Sequence, residues 1–147
     1  MAPIVNSVEI ARSPADVFAY VTDVSRQSEW QVGLSRAKVE GDGPVGVGTR
    51  ITHTRRMGPR DRTITVEVTE HDPPRSFAVR GIDGPIRPAV DFTVDSLDDG
   101  ARSRVSVSLD FSSHGFGKLV APLARRQMRT EMPASHRLLK QLLESGE

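Results

Sequence analysis

The chain has 147 residues, of which 37% are hydrophobic and 27% charged, so its length and composition predict one domain, residues 1–147, large enough to bury a core. A net charge of +1 gives no reason to expect nucleic-acid binding, and the absence of cysteine excludes disulfides, thiolate metal sites and a cysteine nucleophile. We expect a cytoplasmic protein, because no signal-peptide pattern opens the sequence and no apolar run is long enough to span a membrane.

The predicted elements begin with a strand over residues 4–11, in which apolar residues alternate on one face. Ser13 is a natural helix N-cap and Pro14 suits the first helical position, so residues 15–22 are predicted to form a short helix. A second short helix is predicted to end near Trp30. The chain therefore opens with a strand and two short helices.

A series of strands follows, separated by turn sequences rich in glycine and proline. The predicted strands cover residues 37–40, 49–57, 63–71, 76–82 and 103–113. Asp83-Gly84 and Asp99-Gly100 have the composition of hairpin turns and enclose a further strand. Within these strands apolar and polar residues alternate, which indicates an antiparallel sheet of about seven strands with one buried face and one wet face.

The C-terminal segment, residues 116–144, changes to a helical period. Its predicted buried stripe comprises Val120, Ala124, Ala134, Leu138 and Leu142, flanked by Leu123, Met128 and Leu139. The predicted outer face carries Arg125, Arg129, His136 and Lys140. Pro133 is predicted to kink or briefly break the helix near residues 129–132. Because no other element is long enough to cover the sheet, the sheet must curl round this helix, which defines an α+β, helix-grip fold.

Several segments resemble a known superfamily. Residues 10–23 read IARSPADVFAYVTD and precede Trp30, the motif Gly46-Val47-Gly48-Thr49 stands before the third strand, and Leu139-Lys140 lies in the last helix. Together with the order of elements, these segments resemble the START-like superfamily, specifically its bacterial polyketide cyclase/dehydrase and lipid-transport (SRPBCC) branch. The resemblance covers essentially the whole chain. It implies a cavity for a hydrophobic small molecule, in a superfamily that includes ligand carriers, quinone-binding proteins, hormone receptors and aromatase/cyclases.

Two polar residues of the last helix are candidates for ligand contact. Gln127 and Glu131 lie near the centre of the predicted buried stripe, where a polar group needs a partner or a cavity. We interpret them as polar handles of a cavity whose wall includes Met128. The alternative is that the kink at Pro133 turns Glu131 to solvent, or that Glu131 pairs with a nearby arginine.

His53 and Trp30 are further candidates. His53 shares strand parity with Ile51 and Met57, which favours the inner face, and imidazole is suited to proton transfer near neutral pH. The alternatives are that His53 is a hydrogen-bonded wall residue, or that Arg55, of the same parity, marks an exposed strand end. Trp30 either closes the mouth of the cavity or belongs to the core. The predicted lining is Trp30, Ile51, His53, Met57, Val66, Val79, Phe92, Val107, Leu123, Gln127, Met128 and Glu131.

Three functions stay open at this point. The first is binding or transport of a lipid, a quinone or a polyketide-like aromatic. The second is a cyclase, aromatase or dehydratase that uses His53 or Glu131 to move protons. The third is a regulatory or stress-associated interaction protein.

We expect neither cofactor nor metal, because the histidines show no ligand spacing. The cluster of Arg125, Arg126 and Arg129 is predicted to be a solvated face or a weak contact for an anionic membrane or an acidic carrier protein. The oligomeric state stays open.

Overall fold

The computed structural model describes residues 3–57, 59–84, 86–113 and 117–145. The helices are α1 (Pro14–Val21), α2 (Gln27–Trp30) and α3 (Gly117–Ser145), with a 3-10 turn (Val24–Arg26) between the first two. The strands are β1 (Ile4–Ile10), β2 (Leu34–Val39), β3 (Arg50–Met57), β4 (Arg60–Asp72), β5 (Ser76–Gly81), β6 (Ile86–Leu97) and β7 (Arg102–Ser113).

These seven strands form one antiparallel sheet in the order β1-β7-β6-β5-β4-β3-β2. Every neighbouring pair except β1–β7 is consecutive in the chain, which is the predicted meander. The sheet curls round α3, and the predicted helix-grip fold is confirmed.

The start of α1 follows the predicted capping chemistry. The backbone N–H of Asp16 donates to Ser13 Oγ at 3.3 Å, and Pro14 occupies the first turn, where its missing N–H costs nothing. Val17, Phe18 and Val21 are buried, as their spacing predicts. The helix therefore packs its apolar face into the hydrophobic core.

The core lies between the inner face of the sheet and α3. In β7 the alternate residues Val105, Val107 and Leu109 are at most 3% exposed, which confirms the predicted inward face. Leu139 of α3, fully buried, packs against them in the same cluster. None of the helices in the described part of the chain combines the length and apolar character needed to cross a bilayer.

The α3 helix runs without a break through Pro122 and Pro133, so the predicted break near residues 129–132 is wrong, while a kink there stays a prediction. A proline in a helix removes one backbone hydrogen bond. Packing along the remaining turns holds the helix together on both sides.

The buried face of α3 lies about a quarter of a turn away from the predicted stripe. The buried residues are Ala124, Arg125, Met132, Ser135, His136, Leu139 and Leu143. His136, predicted outside, is 3% exposed, whereas Leu123, predicted inside, is 61% exposed. The prediction failed because the buried face carries polar residues whose partners lie elsewhere in the chain.

Arg125 illustrates this error. It is 6% exposed, its guanidinium donates to Asp110 at 2.7 Å, and it lies 5.9 Å from the centre of the Phe111 ring. The prediction that Arg125 faces outward is therefore wrong, because Asp110 of β7 compensates its charge. Arg126 and Arg129 are exposed, and their contact with a membrane or an acidic protein stays a prediction.

Candidate functional site

A cavity of about 150 Å³ lies between the inner face of the sheet and α3. Its walls come from β3, β4, β5, β6 and β7, with α2 and α3 closing it. Because strands place alternate side chains on one face, each strand contributes apolar residues at every second position, such as Val90 and Phe92 of β6. The cavity is therefore built from the same inward residues that form the core.

Eight of the predicted lining residues do line this cavity: Trp30, Ile51, His53, Val66, Val79, Phe92, Val107 and Met128. Leu123 does not, contrary to the prediction, because its side chain faces solvent. Gln127 and Glu131 do not line it either. The side chain of Met57 lies outside the described residues.

Gln127 and Glu131 instead tie α3 to the sheet beside the cavity. Gln127 Nε2 donates to the Arg56 carbonyl at 2.7 Å and to Glu131 Oε2 at 3.0 Å. The other carboxylate oxygen of Glu131 lies 3.8 Å from the Arg55 guanidinium. The sequence placed both residues in the cavity, whereas the structure favours the alternative in which Glu131 pairs with an arginine.

Gly33 allows this approach of α3. Its φ of +88° is the left-handed region, and a Cβ there would lie 2.9 Å from both oxygens of Glu131. A glycine is therefore required for the turn between α2 and β2 to pass beneath the carboxylate.

His53 lies half-buried in the wall, where Nε2 is 3.2 Å from Gln27 Oε1. The amide nitrogen of Gln27 donates to the Val21 carbonyl, so the amide oxygen must accept and His53 Nε2 carries the proton. Burial, and secondarily the positive charge of Arg55, lowers the pKa of His53 to about 4. The imidazole is therefore neutral at pH 7, and Nδ1 bonds to no described residue.

His136 is a functional-site residue that the sequence analysis missed. Asn6 Nδ2 lies 2.7 Å from His136 Nδ1, and because an amide nitrogen only donates, Nδ1 must accept and Nε2 carries the proton. Burial lowers the pKa of His136 to about 4. The pairing joins residues 130 positions apart, which no local pattern in the sequence reveals.

Arg55 is held rigidly in the cavity wall. Its guanidinium donates to Gln31 Oε1 at 2.8 Å and to the Val32 carbonyl at 3.1 Å. Burial lowers the pKa of Arg55, and the negative charge of Glu131 opposes that shift. Arginine stays charged at any physiological pH, so the wall keeps a fixed positive charge.

Trp30 belongs to both the core and the cavity wall. It is 2% exposed, and its ring meets Phe92 edge to face with centroids 6.3 Å apart. The indole N–H has no hydrogen-bond partner among the described residues. The core role predicted for Trp30 is confirmed, whereas its closing of the cavity mouth stays a prediction.

No group of three or more acidic or histidine side chains within the described residues is arranged to hold a metal ion. The cavity lining is mostly apolar, with a few polar groups at fixed positions. Its polar members are Gln27, Gln31, His53, Arg55, Arg62, Ser135 and His136.

A curled antiparallel sheet round a long helix, with an apolar cavity between them, is the START-like helix-grip architecture, a hydrophobic ligand-binding fold. The chain belongs to the family described as polyketide cyclase/dehydrase and lipid transport, whose family model matches residues 1–144. This confirms the resemblance noted from the sequence.

Relatives and solved structures agree with this assignment. A Mycobacterium tuberculosis protein described as uncharacterized is 30% identical over 146 residues, 98% of each chain. The Zhui aromatase/cyclase of Streptomyces sp. R1128 superposes with a TM-score of 0.81 at 14% identity, covering 97% of this chain and 93% of that one. A START superfamily protein of Mycobacterium smegmatis gives 0.75 at 15% identity, covering 97% and 99%. At these identities the structural likeness shows the fold.

Proposed function

We propose that this protein binds a compact, largely apolar small molecule in the cavity between the sheet and α3. The observation that carries the proposal is the cavity itself, enclosed by core residues and bordered by a few oriented polar groups. Small-molecule sites are concave and mostly apolar, with a small number of polar groups that fix the ligand's orientation. His53, with Nδ1 bonding to no described residue, and Arg55, with its fixed charge, supply such groups here.

The size of the cavity narrows the ligand class. An apolar cavity of about 150 Å³ is known to accept a molecule of the size of benzene. A single aromatic ring with a short substituent therefore fits without rearrangement. A long acyl chain or a multi-ring polyketide requires the walls to move, and Met128 and Met132 are the flexible side chains best suited to yield. We therefore favour a compact aromatic over a lipid.

A binding function agrees better than acid–base catalysis with the protonation states of the cavity's polar side chains. A catalytic pair needs one group to donate a proton and another to accept it near the working pH. Both cavity histidines are held neutral by burial, with pKa values of about 4, which makes each a weak base at pH 7. No carboxylate is present among the described lining residues. The pair that proton transfer requires is therefore missing from this part of the chain.

A cyclase, aromatase or dehydratase activity is the second candidate, and His53 is the observation that favours it. Its Nδ1 lone pair bonds to no described residue, so it is free to accept a proton from a bound substrate. A substrate would have to raise the basicity of that nitrogen, for example by placing an anionic oxygen beside it. Because of this additional requirement, we favour binding over catalysis as the function of the cavity.

Filling the cavity should weaken binding strongly without unfolding the protein. Val107 lines the cavity and is 3% exposed, and Val107→Phe would occupy part of the space with a ring. We expect affinity for 3-phenylpropanol, followed by the fluorescence of Trp30, the sole tryptophan, to fall at least about tenfold.

Val5→Phe is the matched control, because Val5 is 65% exposed on β1 and does not line the cavity. Its affinity should equal that of the unmodified protein. Equal affinity in Val107→Phe, in a variant shown by circular dichroism to be folded, would place the ligand elsewhere and contradict the proposal.

A further inference from the structure

The charged groups that line the cavity are of one sign. Two arginines, Arg55 of β3 and Arg62 of β4, belong to the lining, whereas no aspartate or glutamate does so among the described residues. Both histidines are neutral at pH 7 because burial lowers their pKa values. The ligand therefore meets a surface with two permanent positive charges, of which that of Arg55 is paired with Glu131 behind the lining.

The register of the sheet brings these arginines together. Arg55 pairs directly with Arg62, two positions along from the pair His53 and Ile64, whose side chains also line the cavity. Residues directly opposite in an antiparallel pair have Cβ atoms about 5 Å apart, and like charges there are destabilising. An anion placed between the two guanidinium groups would relieve that repulsion.

The two arginines differ in how far their charge is already compensated. Arg55 has Glu131 at 3.8 Å, beyond hydrogen-bond distance, and its N–H groups are aimed by Gln31 and Val32. Arg62 is exposed, and no described residue forms an ion pair or hydrogen bond with it. Since Arg62 is both exposed and part of the lining, it marks the place where the cavity opens to solvent. The uncompensated charge lies at that opening.

We propose that the ligand of this cavity carries a carboxylate at one end of its apolar body, and that this carboxylate binds at the opening to Arg62, with Arg55 behind it. This inference rests on the proposed function, because it assumes that the apolar body occupies the cavity. The planar guanidinium group presents two parallel N–H donors that match the two oxygens of a carboxylate. The apolar walls select the body of the ligand, and the arginine pair selects its charge.

Three probes that differ in one group test this inference: 3-phenylpropanoate, 3-phenylpropanol and 3-phenylpropylamine. Their affinities are measured by calorimetry on the full chain at neutral pH. We expect the carboxylate to bind at least about tenfold more tightly than the alcohol, and the amine to bind most weakly. In Arg62→Gln the preference for the carboxylate over the alcohol should fall at least about fivefold, while the affinity for the alcohol stays unchanged.

Arg60→Gln is the matched control. Arg60 is exposed on the same strand but does not line the cavity, so removing its charge should leave the preference intact. Equal affinities for carboxylate and alcohol in the unmodified protein would overturn the carboxylate inference and leave the proposed function standing. An equal loss of the carboxylate preference in Arg62→Gln and Arg60→Gln would mean that general surface charge causes the preference. That result would also overturn the carboxylate inference. Failure of all three probes to bind would contradict both proposals.

Discussion

Replacing Trp30 by alanine should lower the free energy of unfolding by about 3–5 kcal/mol. Trp30 is 2% exposed, packs edge to face on Phe92 and forms part of the cavity wall, so truncation removes a large buried ring and enlarges a space that already exists. Urea unfolding of the purified variant measures the loss.

Trp30→Phe is the matched variant, because it keeps a ring and removes the indole N–H. That N–H has no partner among the described residues, so its removal breaks no hydrogen bond of the described structure. We expect a cost of less than half that of Trp30→Ala. A cost equal to that of alanine would mean that the N–H takes part in an interaction on which the fold depends, and would contradict this account.

Acid should destabilise the protein well before its carboxylates are protonated. His53 and His136 have folded-state pKa values of about 4, against an ordinary value of 6.5. Between these values the unfolded chain binds more protons than the folded protein, so stability rises with pH across this window and is lost as the pH falls through it. Between about pH 7.5 and pH 5 the expected loss is about 2 kcal/mol per histidine.

The carboxylates affect the stability of the protein at lower pH than the two histidines do. The pKa of Glu9 is lowered by its bonds to Arg104 and Arg102, and that of Asp110 by Arg125, so their contributions are lost as the pH falls from the ordinary carboxylate pKa through the lowered one. Urea unfolding between pH 7.5 and pH 5 therefore isolates the histidines. His136→Gln and His53→Gln should each remove about half of the pH dependence of the free energy of unfolding, and the double variant should remove most of it. An unchanged pH dependence in the double variant would contradict the assignment of neutral buried histidines.

The strands could be predicted because their determinants are local. In β7 alternation alone identifies Val105, Val107 and Leu109 as the inward residues. Once one face of a strand is known to be buried, the residues of the same parity are predicted to lie on that face. Ile51 and His53 share parity, and both line the cavity as predicted. The cap at Ser13 is likewise an interaction within a few residues.

The face of α3 could not be predicted, because what settles it lies far away in the sequence. Hydrophobicity ranks Leu123 as buried and His136 as exposed, and the structure reverses both. His136 is buried because Asn6 of β1 satisfies its ring nitrogen, and Ser135 because it accepts a bond from the Val32 N–H. A helical wheel contains no information about such partners.

The arginine pair was missed for a related reason. The parity of Arg55 with His53 is visible in the sequence, but it fits an exposed strand end equally well. Seeing that Arg62 lies opposite requires the register of the β3–β4 hairpin, which depends on where the turn falls. The charge of the cavity therefore becomes apparent only when both strands are in place.

The central claim is that a compact apolar molecule enters the space between the sheet and α3. Methionine-methyl NMR tests it most directly, because Met128 and Met132 both line the cavity. During titration with 3-phenylpropanol, the account predicts that the methyl signals of Met128 and Met132 shift and saturate together. Saturable binding that leaves both cavity methionines unmoved would contradict it.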